Sequence, residues 1–316
     1  MTVDDSDPKG PTEQLRTALS ASADPVRAEQ QRAYLRSDLH HLGVGVPDMR
    51  RSVTRTRRAL GARPAPYVLA LAAELWSGRQ DAERPVYEYR WAAVELLVQY
   101  ARALDATHLP AVEALLRECH TWALVDPLAV HCAGVIALRD PAAGPVLDRW
   151  VADPDFWLRR SALLALLPAI RTGRPDGDRL TRYADALVDE REFFLRKALG
   201  WVLRETSTRD PGFVIAWVER NGTRVAPLTR KEALRRLPPE APRQHDQEGP
   251  GGEAGSGTVR RGCRPPGCRR SDCRARRPSP HRQPSPGRSA GRRDRTAGRR
   301  SRGRPPRGGG NGQRGR

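Results

Sequence analysis

Residues 191–204 read REFFLRKALGWVLR, and residues 155–169 read DFWLRRSALLALLPA. The two superpose: Phe156-Trp157-Leu158-Arg159-Arg160 falls on Phe193-Phe194-Leu195-Arg196-Lys197 at an offset of 37 residues. Both segments return apolar residues at three- and four-residue steps, the period of a helix with one buried face. A third stretch, YEYRWAAVELLVQYA at 87–101, puts Trp91, Val94, Leu97 and Val98 on one stripe and contains a partial copy, Tyr89-Arg90-Trp91-Ala92-Ala93. Helical pairs recurring about every 40 residues are the signature of a HEAT-type solenoid, which buries its apolar faces between stacked pairs. In register, the basic residues of the copies form a ladder along one concave face, a surface suited to a long polyanion.

Working outward, residues 12–237 read as helix after helix. The punctuation is Gly61 with Pro64 and Pro66, Asp140-Pro141, Asp153-Pro154, RTGRPDGD at 171–178, and Asp210-Pro211. Asp before Pro fits a helix start, with Asp as N-cap and Pro in the first turn. No run alternates β-branched residues as a strand would. The expected fold is all-α: a HEAT-like α-solenoid over 12–242, preceded by a flexible N-terminus, 1–11, and followed by a disordered tail, 243–316.

The tail accounts for most of the charge. Residues 243–316 hold 21 Arg, no Lys and five acids, a net charge of +16, against +3 for residues 1–242. All 7 Trp, 6 Tyr and 4 Phe precede residue 243, so the tail lacks the apolar surface to offset chain entropy. Its bias toward Arg, Gly and Pro reads either as a nucleic-acid-binding arm or as the misread end of a GC-rich gene. Cys263, Cys268 and Cys273 are spaced C-x4-C-x4-C within it, a zinc-like pattern without a fourth ligand.

The chain contains no run of about 18 consecutive apolar residues, and MTVDDSDPKG has no apolar segment of the secretory type. Cys119 and Cys132 lie in apolar sequence, which points to a reducing cytoplasm. His40-His41 have no third ligand nearby, Gly43-Val44-Gly45 lacks a third glycine, and Gly-x-Ser-x-Gly is missing. No metal, nucleotide cofactor or serine nucleophile is expected.

Trp122 and Asp126 stand four apart in Thr121-Trp122-Ala123-Leu124-Val125-Asp126-Pro127-Leu128. On a helix they share a face, where an aromatic plane beside a carboxylate can hold a sugar and stabilise positive charge on it. Asp126 also precedes Pro127, the pattern of an ordinary N-cap. Trp91, Trp157 and Trp201 are core residues by default. Neighbouring helix residues point about 100° apart, so Arg159 and Arg160 cannot share one outer face, nor can Arg196 and Lys197.

These residues resemble the AlkD-like DNA alkylation repair enzymes, HEAT-like-repeat glycosylases acting on N3- and N7-alkylated purines. The resemblance runs through Tyr34-Leu35-Arg36-Ser37-Asp38, Leu42-Gly43-Val44, Val46-Pro47, Thr121 to Asp126, and Phe156 to Arg160. It is densest from Phe193 to Glu205 and closes at Pro227-Leu228-Thr229-Arg230-Lys231-Glu232-Ala233-Leu234. It implies a catalytic aspartate at Asp126, cleft tryptophans at Trp122 and Trp201, and a cleft arginine within Arg159-Arg160, with Arg160 preferred as a phosphate holder. Tyr34, Arg159, Arg196, Lys197, Arg230 and Lys231 are the expected DNA contacts. The implied partner is duplex DNA carrying alkylated bases, bound by a cytoplasmic monomer that sits on the nucleoid when engaged. The alternative is a non-catalytic HEAT-like scaffold that binds DNA or protein. Family members generally lack a tail like 243–316.

Overall fold

Asp24 opens the first well-capped helix: its carboxylate accepts the backbone N–H of Val26 and Arg27, and Pro25 fills the first turn, where a missing N–H is harmless. In chain order the helices are α1 (Lys9–Ser20), α2 (Pro25–Leu35), α3 (Val46–Leu60), α4 (Ala65–Trp76), α5 (Tyr87–Gln99) and α6 (Leu109–Arg117). Then come α7 (Trp122–Pro127), α8 (Gly134–Arg139), α9 (Gly144–Trp150), α10 (Phe156–Leu164) and α11 (Leu167–Arg171). The last are α12 (Gly177–Ala186), α13 (Phe193–Ser207), α14 (Pro211–Asn221) and α15 (Pro227–Ala233). Two two-residue strands, β1 (Arg79–Gln80) and β2 (Arg84–Pro85), pair antiparallel between α4 and α5, and a single parallel bridge joins His40 to Val86 beside them; the rest of the described regular structure is helical.

This computed structural model describes residues 7–80 and 84–238, all within the unit Met1–His245. The tail expected over 243–316, with its three cysteines, lies outside the described residues. Helix α1 begins at Lys9 with Pro11 buried, so order starts inside the segment 1–11 read as flexible. Asp210 caps α14 and Asp140 caps a 3-10 turn, as Asp-Pro predicts. Asp153-Pro154 does not: Asp155 caps α10, and the Asp153 carboxylate accepts the Asp155 N–H and pairs with Arg117.

The helices stack in two rows. In one, α5 packs on α7, α7 on α10, α10 on α13, and α13 on α15. The other carries α6, α9, α12 and α14, whose apolar faces pack into the same core through Val112, Leu147, Trp150, Leu180, Tyr183 and Trp217. A ladder of polar contacts repeats along this second row. Trp150 donates its indole N–H to Glu113 at 2.8 Å, Tyr183 its hydroxyl to Asp148 at 2.8 Å, and Trp217 its indole N–H to Asp185 at 2.7 Å. Each carboxylate also pairs with arginine: Arg149 and Arg117 on Glu113, Arg179 and Arg182 on Asp148, Arg220 on Asp185.

Helix α7 continues through a π-helical turn, Leu128–Ala133, into α8. The resulting helix, Trp122–Arg139, is long and apolar enough by length and composition to cross a membrane, although no single apolar run in the sequence has that length. Its apolarity is accounted for by packing: Leu124, Val125, Leu128, Cys132 and Ile136 are fully buried between α5, α6, α10 and α11. Cys119 and Cys132 are buried free thiols, and burial pushes the Cys132 thiol up to about 12.

Candidate functional site

Four helices of the first row contribute to one cleft, of about 790 Å³. Its walls are Trp122 and Asp126 of α7, Trp157 and Arg160 of α10, Phe193, Phe194, Lys197, Trp201 and Arg204 of α13, and Glu232 of α15. The end of α2 closes one side with Tyr34, Leu35 and Arg36, and His120 and Thr121 complete the wall.

Thr121, not Asp126, is the N-cap of α7; its side-chain oxygen faces the Ala123 N–H. Asp126 therefore sits inside a continuous helix, one turn after Trp122, and the reading of Asp126 as a cap for a helix starting at Pro127 is set aside. Pro127 gives up a backbone N–H without breaking the helix, and the chain relaxes into the π turn that follows. Such turns recur at functional sites.

Arg160 holds Asp126 with both prongs of its guanidinium: Nε donates to Oδ1 and Nη2 to Oδ2, each at 2.8 Å. Its Nη1 donates to the Phe194 carbonyl, and the residue is 3 % exposed. Such a fork fixes a carboxylate in plane and orientation. Of the Arg159-Arg160 pair, Arg160 is thus the cleft residue, and the phosphate-holding role expected for it does not fit, because the fork is committed to Asp126 and buried. Trp157 and Phe194 form an aromatic floor beneath it, ring centroids 5.2 Å apart. Asp126, with 16 % of its side chain exposed, opens on the cleft.

The repeated basic pairs divide their work. Arg159 turns away, donating to the Asp153 and Pro154 carbonyls and pairing with Glu190 at 2.8 Å. Arg196, its counterpart, donates to the Glu190 carbonyl at 2.7 Å. Both tether the loop before their helix, whereas the second members, Arg160 and Lys197, face the cleft. The partial copy at 89–93 has no basic pair, and it does not open its helix: Tyr89 is the third residue of α5. Arg230 donates to the Gly222 carbonyl at 2.7 Å and Lys231 is exposed; neither lines the cleft. The expected row of DNA contacts therefore contracts, within the cleft, to Tyr34 and Lys197.

Tyr34 is 75 % exposed and meets Trp122 edge-on, centroids 6.2 Å apart. Trp201 is half-buried, with the Arg171 guanidinium 5.9 Å from its ring centroid. Sequence reasoning missed Arg204, which forms an ion pair with Glu232 in the cleft wall; burial, then Arg235 and Arg236, pull its pKa below the ordinary value. Its signal was the spacing 197, 201, 204, one helix face. Arg36 and His120 were also missed. They are the two described non-glycine residues in the left-handed region, with φ of 49° and 51°, and both line the cleft. Strained backbone of this kind concentrates at functional sites.

Among the described residues no group of three or more His, Cys, Asp or Glu could hold a metal ion. The cleft offers instead carboxylates held by arginine, Asp126 by Arg160 and Glu232 by Arg204, with aromatic faces and peripheral cations, a set suited to a cationic sugar flanked by phosphates.

A solved structure described as a predicted DNA alkylation repair enzyme from Enterococcus faecalis is similar, at 21 % identity and a TM-score of 0.59, over 68 % of this chain and 97 % of that one. AlkD2 from Streptococcus mutans matches at 20 % identity and a TM-score of 0.46, over 66 % of this chain and 97 % of its own. No curated protein matches the chain. The first of these likenesses concerns the fold. The family model for DNA alkylation repair enzymes matches residues 15–237, which contain every cleft residue named above, and the chain belongs to that family.

Proposed function

We propose that the protein is a monofunctional DNA glycosylase that hydrolyses the N-glycosidic bond of N3- and N7-alkylated purines in duplex DNA. The observation that carries this reading is the Asp126 carboxylate, pinned by both prongs of Arg160 and opening onto a cleft between Trp122 and Trp201.

A purine alkylated at N3 or N7 is already cationic. When the bond from C1′ to the base nitrogen breaks, its electron pair goes to the base, which departs neutral. Protonating the leaving group is unnecessary, so a general acid can be dispensed with. The charge appears on the sugar instead. Asp126 stabilises that oxocarbenium-like centre and orients the water whose oxygen bonds to C1′; the water's proton is released to solvent. Trp122 and Trp201 flank the deoxyribose. Lys197, Arg36 and His120 meet the phosphates on either side. Arg160 holds the carboxylate in place. A positioned carboxylate acting on developing charge is the kind of preorganised group that contributes most to rate.

The test is release of free base from methylated duplex DNA by the full chain, followed by chromatography. N7-methylguanine or N3-methyladenine in the soluble fraction supports the reading. Duplex binding without release would replace it with that of a non-catalytic scaffold.

A further inference from the structure

Glu88 lies in the first turn of α5, outside the cleft, and is fully buried. Its carboxylate accepts three successive backbone N–H groups, from Leu42 at 2.8 Å, Gly43 at 2.7 Å and Val44 at 3.2 Å. A buried carboxylate is costly unless so satisfied, and three N–H groups converging on one anion leave the loop a single geometry.

The carbonyls of the same three residues hold α2. Leu42 accepts from the Asp24 N–H at 2.8 Å, Gly43 from Arg27 Nη1 at 2.9 Å, and Val44 from Gln31 Nε2 at 3.2 Å. The fit is close. Gly43 has φ +79°, and a Cβ there would stand 2.1 Å from the Asp24 carbonyl oxygen and 2.5 Å from the Ala28 nitrogen. Helix α2 needs this tether, because none of its residues is buried and only Leu35 packs partly on the core. A helix without an apolar anchor belongs to the least stable part of a fold. It nonetheless carries Tyr34 to its contact with Trp122 and leads directly into Arg36, two walls of the cleft.

We propose that Glu88 is a positioning residue for the cleft, fixing loop 42–44 and, through it, the placement of α2 with Tyr34 and Arg36. In its effect on base release this rests on the glycosylase reading; in its effect on α2 it does not. Removing the tether frees α2 without touching Asp126, so substrate capture suffers and the bond-breaking step does not.

The experiment compares the full chain with Glu88→Gln and with the double variant Arg27→Ala, Gln31→Ala, which cuts the tether from the exposed side and spares the core. Hydrogen exchange is followed in peptides spanning 25–36 and 193–207, and single-turnover base release is measured against enzyme concentration. Exchange over 25–36 rises by about tenfold or more in both variants and stays unchanged over 193–207. The enzyme concentration for half-maximal release rises about tenfold, with the plateau rate within about twofold of wild type. General destabilisation would instead lower the reacting fraction at unchanged half-saturation. Protection of 25–36 retained in the double variant, or a fallen plateau at unchanged half-saturation, overturns the proposal. If Glu88→Gln does not fold, the double variant decides alone. If the wild type releases no base, the glycosylase reading falls and the exchange data still decide the tether.

Discussion

Along α6, α9, α12 and α14, each ladder carboxylate is bonded by an aromatic N–H or O–H and at least one arginine: Glu113 by Trp150, Asp148 by Tyr183, Asp185 by Trp217. Along α7, α10, α13 and α15, Asp126 has one bonding side chain, Arg160, and its remaining surface opens on a cleft. Arg36, His120 and Lys197 line that cleft without a carboxylate partner among the described residues. One repeat period thus builds two unlike faces. On the first, acids and arginines neutralise each other and lock repeats together. On the second, Arg36 and Lys197 line a cleft whose two acids, Asp126 and Glu232, are held by Arg160 and Arg204, which leaves the cleft net positive. What separates these carboxylates is where their free surface opens, on solvent for Asp148 and Asp185 and on a cleft for Asp126, since arginine contacts occur on both faces.

The comparison breaks most visibly at Arg160. Replacing it by alanine leaves Asp126 without its fork; base release falls about 100-fold, and the unfolding free energy drops by roughly 3 kcal/mol because a largely buried carboxylate loses its partner. Single-turnover kinetics and urea denaturation read the two effects. Next is Gly200, where α15 crosses α13: a Cβ would stand 2.7 Å from the Glu232 Cβ and 3.0 Å from the Thr229 carbonyl oxygen. Gly200→Ala gains about 1 kcal/mol of helix propensity, yet lowers stability by about 1–3 kcal/mol through the clash, and shifts Glu232 away from Arg204.

On the ladder face, Tyr183→Phe removes one hydrogen bond to Asp148 and lowers stability by about 1 kcal/mol, with base release unchanged. Burial pushes the Asp148 carboxyl up, but the Tyr183 hydroxyl and Arg179 outweigh it, so its pKa falls below the usual aspartate value near 3.8. A lowered acid pKa stabilises above the unfolded value and ceases to do so as pH falls through the folded one. The wild type and Tyr183→Phe therefore converge in denaturation midpoint below about pH 4. The smallest effect belongs to Lys197→Ala: stability changes by under about 0.5 kcal/mol, while the slope of DNA affinity against salt falls by about 1, measured by fluorescence anisotropy.

Much of this was legible in the sequence. Phe156 and Phe193 each open a helix, as their matched aromatic and basic neighbours predict, and the four-residue step from Trp122 to Asp126 does place both on one face. The division of each basic pair followed from helical geometry alone. The place of the Asp before Pro127 did not, because Asp-Pro favours a cap; burial of Leu128, Ala129, Val130, Cys132 and Ala133 against other helices carries the helix past the proline. The partner of Arg160 was hidden for the same reason, lying 34 residues away. The left-handed turns at Arg36 and His120 have no glycine or asparagine to announce them. Nor does the ladder show in a local pattern, since its acids are one Glu and two Asp and its donors two Trp and one Tyr.

The central claim is that Asp126 is the reacting carboxylate and the ladder acids are structural. Asp126→Asn and Asp148→Asn, each confirmed folded by circular dichroism, separate the two in one assay of single-turnover release of methylated purine with parallel DNA binding and thermal melting. The account predicts about a 100-fold or greater loss of release for Asp126→Asn with duplex affinity retained, and for Asp148→Asn a lower melting temperature with wild-type release. Release by Asp126→Asn at the wild-type rate, or an equal loss in both variants, would contradict it.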